Sequence, residues 1–92
     1  MDNESMVGKC FMYSDADATG YKRVSGDIGD RVIVFEFTSG KEVIFGVRVT
    51  SFRKDALARF TEIPEAEFRA AWERATTGVG REFEKHFGTA TA

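Results

Sequence analysis

The chain reads as an α+β domain: a small antiparallel β-sheet of four to five strands in meander order, followed by one or two C-terminal α-helices. Three observations predict it. Apolar residues alternate along RVIVFEFTSGKEVIFGVRVTSF, Arg31 to Phe52, and shorter β-prone runs precede it at roughly ten-residue spacing. An apolar stripe at helical spacing then runs through residues 65–87.

The first two strands are expected in Met6 to Tyr13 and Tyr21 to Gly26, joined by the polar turn SDADATG and followed by a second turn, GDIGD. In the long hairpin, Ile33, Phe35 and Phe37 share one parity with Val43, Phe45, Val47 and Val49. A loop of Thr38, Ser39 and Gly40, with glycine in the left-handed position, would pair Phe35 with Val43 and Ile33 with Phe45. That register gathers one apolar face and turns Val32, Val34, Glu36, Ile44, Gly46 and Arg48 to the other. A sheet with one solvated face does not need Val32, Val34 and Ile44. Either the helix or a curl of the sheet covers them, or a partner does. After the hairpin, LARFTEI (Leu57 to Ile63) alternates again and suits a fifth strand, although its Leu and Ala also suit a helix.

Ile63, Pro64, Glu65, Glu67 and Phe68 form a helix start: proline fits the first turn, acids favour the positive end of the dipole, and Ile63 can staple onto Phe68. Phe68, Ala71, Trp72 and Ala75 then share one face, continued by Val79, Phe83 and Phe87. Gly78 and Gly80 each cost about 1 kcal/mol against alanine inside a helix, so two segments are expected in preference to one.

With 92 residues the chain is one domain over 1–92, with 1–5 and 88–92 expected as frayed ends. The net charge of −2 excludes a globally basic nucleic-acid binder and is too small for an acidic mimic of DNA. Within that balance, residues 21–60 carry a basic excess. Cys10 is the sole cysteine, so no intrachain disulfide forms and a reducing, cytoplasmic home is expected. The acidic opening MDNESMVGKC is unlike a secretion signal, and no apolar run approaches the ~18 residues of a membrane span.

Chemistry-bearing patterns are sparse. His86, the only histidine, falls where a cation favours a helix C-terminus, and Cys10 reads as a packed thiol. DADATG lacks the later carboxylates of a calcium loop, and TTGVGR lacks the strand and lysine of a phosphate loop. No catalytic, metal or cofactor residues are assigned. Arg48, Arg53, Lys54 and Arg59 interleave with Phe52 and Phe60 in RVTSFRKDALARF, and Lys22 and Arg23 can join them. Cations beside aromatic platforms suit single-stranded nucleic acid.

The strands around YKRV, with their turn and hairpin, loosely resemble SH3-like barrels, which implies a partial barrel. The expected function is a non-enzymatic protein-interaction module, a regulator or inhibitor of a larger protein such as mobile elements and phages encode. Its contact residues are Val32, Val34, Ile44, Arg48, Arg53 and Lys54, and pairing with a second copy is a variant of the same idea. The alternative is a nucleic-acid module using Lys22, Arg23, Arg48, Arg53, Lys54 and Arg59.

Overall fold

The structure, a computed structural model, describes residues 5–40 and 46–87, with backbone alone at 79, 82, 83, 86 and 87. Its elements are β1 (Cys10–Ser14), β2 (Ala18–Asp27), β3 (Arg31–Gly40), β4 (Gly46–Arg53), a 3₁₀ helix (Lys54–Arg59), β5 (Thr61–Ile63) and α1 (Glu65–Phe87). The strands form one antiparallel sheet in the order β4-β3-β2-β1-β5, so the expected α+β meander with a C-terminal helix is what the chain forms.

Register explains where the core lies. Ile63, Cys10, Arg23, Phe35 and Val49 make one row across all five strands, and Thr61, Met12, Tyr21, Phe37 and Val47 make the next. These rows share a face, and α1 lies over it: Phe68 and Ala71 are buried with Cys10, Phe37 and Ile63, while Trp72 and Ala75 pack alongside. Phe37 is fully enclosed, stacked on Tyr21 at 5.0 Å between centroids and met edge-on by Phe68 at 5.4 Å and Trp72 at 5.2 Å. The helix begins as expected. Pro64 O accepts the amides of Glu67 and Phe68, and Ile63 and Phe68 join the same cluster, as a staple requires.

The hairpin register differs from the expected one. Phe35 pairs with Val49, not Val43, and Phe37 pairs with Val47. The displacement is an even number of residues, so the facing of every side chain survives it. The cause lies in β2, whose Ala18, Thr19 and Gly20 pair with Gly40, Ser39 and Thr38 and keep those residues extended. Gly40 serves close approach rather than a turn, since a Cβ there would stand 2.9 Å from Asp17 O. The expected pairings of Val43 and Phe45, the position of Ile44, and the ends 1–4 and 88–92 lie outside the described residues.

Two further corrections concern the second half of the chain. LARFTEI divides: its first residues belong to the 3₁₀ helix, where Leu57 is buried, and only Thr61–Ile63 is strand. The helix also does not break at the glycines, for α1 runs unbroken through Gly78 and Gly80. Both positions open onto free space, and a cost of about 1 kcal/mol each is smaller than the loss of the hydrogen bonds that a break would forfeit.

Candidate functional site: the open edge of the sheet

Val32 and Val34, expected as contact residues, are fully buried, so that assignment is corrected. They form a second core with Phe11, Val24 and Leu57, against which Met6, Phe52 and Phe60 pack. Their cover is the curl of the sheet together with the 3₁₀ helix. Phe60 sits 6.1 Å from Phe52 of β4 and 6.1 Å from Tyr13 of β1, so one ring joins both sides of the curled sheet.

The basic residues expected to form a nucleic-acid surface are divided between the faces. Lys22 lies inside the second face, its Nζ 4.5 Å from the Phe60 centroid, 5.5 Å from that of Phe52 and 3.3 Å from Glu36 Oε1. Glu36 is only 8% exposed and also accepts Arg48 Nε, so two cations flank one buried carboxylate. Arg23 projects from the opposite, helix-bearing face, where its Nε is 3.5 Å from Glu65 Oε2. Arg53 pairs with Asp55 at 3.2 Å and Lys54 with Asp27 at 2.8 Å, while Arg59 is exposed at the end of the 3₁₀ helix. Phe52 and Phe60 pack against the second core, with Lys22 between them and the sheet's charges. The structure therefore does not bring these six cations together on an aromatic platform.

What it leaves open is elsewhere. Five strands at about 4.8 Å spacing span roughly 19 Å, whereas one helix is about 10 Å across. A single helix cannot cover the rows to their ends. Val47 and Val49, the β4 members of the two rows, are 45% and 65% exposed. Beside them, Phe35, Phe68 and Trp72 line a cleft of 420 Å³ between α1 and the sheet, rimmed by Arg23, Glu65 and Arg69. The Phe35 and Trp72 rings meet edge-on at 5.5 Å, forming its floor and wall. Arg69 Nη2 donates to Glu65 Oε2 at 2.7 Å, and this bond, with Arg23 nearby, holds the Glu65 carboxyl below its usual range.

The outer side of β4 has no strand partner among the described residues, and β4 runs for eight residues. The other edge is managed differently: β5 is three residues long and is followed at once by Pro64. Where β3 and β4 continue past the valines, Ser51 follows and then Arg31 opposite Arg53. Arg31 Nη2 donates to Ser51 Oγ at 3.1 Å.

Sequence reading missed Val47 and Val49 as surface residues because they share parity with the core. A usable signal was present in the helix stripe, where Ala71 and Ala75 alternate with Phe68 and Trp72. So narrow a stripe covers two or three strands, not five.

Cys10 is buried, its thiol donating to Gly8 O at 3.5 Å; burial, then the charge of Glu65, pushes its pKa up and keeps it protonated. Among the described residues no group of three or more His, Cys, Asp or Glu could hold a metal ion, and no helix is long and apolar enough to cross a membrane. No family model, curated protein or solved structure matches the chain.

Proposed function

We propose that this protein acts by binding, as an interaction module that docks an extended segment of a larger protein along β4, in the manner of a small regulator or inhibitor. The observation that carries this reading is the coincidence of a long strand edge without a described partner and two exposed valines that continue the core rows beyond the helix. An added strand would bond to the free backbone groups of β4 and set alternate side chains on Val47 and Val49. The apolar side chains set there would gain about 25 cal/mol for each Å² of apolar surface they bury.

A random twelve-residue peptide library displayed on phage tests the reading. Selection on the folded protein enriches binders, and Val49→Lys, which sets a charge on the exposed row, abolishes their binding without changing the melting temperature. Equal enrichment on both proteins would remove β4 as the site. A single-stranded oligonucleotide at low salt is the counter-probe, and tight, steeply salt-dependent binding would replace this reading with the nucleic-acid one.

A further inference from the structure

Resting on the reading of β4 as a docking edge, we infer that the docked segment is acidic: it carries two apolar residues at alternate positions and an aspartate or glutamate four positions from the nearer one. The argument begins from a local cost. Arg31 and Arg53 stand directly opposite each other in the β3–β4 ladder, on the same face as Val47 and Val49, and like charges so placed repel. Asp55 answers Arg53, while the hydrogen bond that the structure gives Arg31 goes to the neutral Ser51 hydroxyl. The pair is exposed, at the open edge, and in line with the apolar row.

Spacing supplies the rest. Side chains of an added strand repeat every second residue on one face, so those meeting Val47, Val49, Ser51 and Arg53 are residues two apart. The first two face apolar surface and the last faces the two guanidiniums. On the other face of the strand Arg48 is paired with Glu36, although its side chain is 69% exposed. Arg53 is therefore the cation of β4 that shares a face with the two valines. A second copy paired antiparallel through β4 so that Val47 meets Val49 would set Arg48 opposite its own copy, which the like charges disfavour.

The experiment reads the sequences of peptides selected on the protein at physiological ionic strength. Expected is an apolar pair at alternate positions with Asp or Glu at the stated spacing. Changing that acid to its amide weakens binding about fivefold, the upper end for an exposed ion pair, as followed by Trp72 emission. Arg53→Glu, with Arg31→Glu as the independent second variant, turns the preference at that position to Lys or Arg, and each variant is first shown by its thermal transition to be folded. Selected peptides with the apolar pair but no charge preference, unaltered by either variant, overturn this inference and leave the docking edge standing. Failure to select any peptide over the Val49→Lys control overturns both. Dimerisation in light scattering that Val49→Lys abolishes makes the occupant a second copy, and the acidic segment is then wrong.

Discussion

The two faces of the sheet are closed in different ways. One is covered by a separate element, α1, which lies across the middle of the rows and leaves their β4 ends bare. The other is closed by the sheet's own curl: Phe52, Phe60, Leu57 and Met6 come from segments that continue its strands, and a buried carboxylate between two cations fills the row where no aliphatic residue stands. Strand β3 serves both, giving Phe35 and Phe37 to one face and Val32, Val34 and Glu36 to the other. Self-closure leaves little to spare, whereas a lid of fixed width leaves a margin. The margin is where contact with other molecules becomes possible.

The sharpest way to break this contrast is at Phe37. Its replacement by alanine removes a ring held by Tyr21, Phe68 and Trp72 and is expected to cost about 4 kcal/mol, a large share of the roughly 5 to 14 kcal/mol of a domain this size. Urea unfolding measures the loss, and a red shift of Trp72 emission in the folded state would show that the helix has lifted.

On the self-closed face the equivalent test is Lys22→Met, which leaves Glu36 with Arg48 alone and removes the cation beside the Phe60 ring. About 2 to 3 kcal/mol is expected to be lost, less than for a fully orphaned charge because Arg48 remains. Adding Glu36→Gln should restore part of it, and a double-mutant cycle in urea reports the coupling. A loss confined to a few tenths would mean that the ion row is incidental to closure.

Gly80→Ala sharpens the picture of the lid. In a continuous helix with open space at that position, alanine should add up to about 1 kcal/mol, seen as a raised melting temperature. No gain, or a loss, would mean that the helix yields at that point in solution.

The smallest expected effect is on pH dependence. The Lys54 ammonium, then the Met6 amide, hold the Asp27 carboxyl below its ordinary range. The folded value lies below the unfolded one, so the stability is fully present above about pH 4 and lost as pH falls through the folded value. Asp27→Asn should flatten that part of the acid limb in urea midpoints followed from neutral pH downward.

Much of the fold was legible because alternation survives errors of register. Assigning Phe35 the wrong partner did not change its face, since a slip by an even number preserves parity. The helix start at Pro64 was equally readable, being local chemistry. What was hidden depended on distance across the sheet. Nothing in Val32 and Val34 says that Leu57 will fold back over them, and nothing in Lys22 and Arg23 says that adjacent cations will serve opposite faces, although strand geometry requires it once the strand is known. The continuity of α1 was misjudged because propensity near Gly78 and Gly80 was weighed without the hydrogen bonds on either side. For the candidate site, the sequence offered Arg48 and Arg53 but not Val47 and Val49 beside them, whose exposure is a matter of how far one helix reaches.

One departure from regular pairing governs more than its size suggests. Between Val24 and Gly26 the β2–β3 register shifts, with Ser25 as the extra residue. Were Ser25 paired with Ile33 and not bulged out, Asp27 would look toward the helix; as built, it looks the other way, where its carboxylate takes the Met6 amide at 3.0 Å and the Lys54 ammonium at 2.8 Å. Leaving one residue out of the pairing thus works as a phase shifter, and by inverting the alternation along β2 it lets one acid moor the incoming chain and the returning turn to the same side. Deleting Ser25 should leave both in place, because Gly26 would still pair with Ile33 and Asp27 with Val32, whereas Asp27→Ala should unfasten both together.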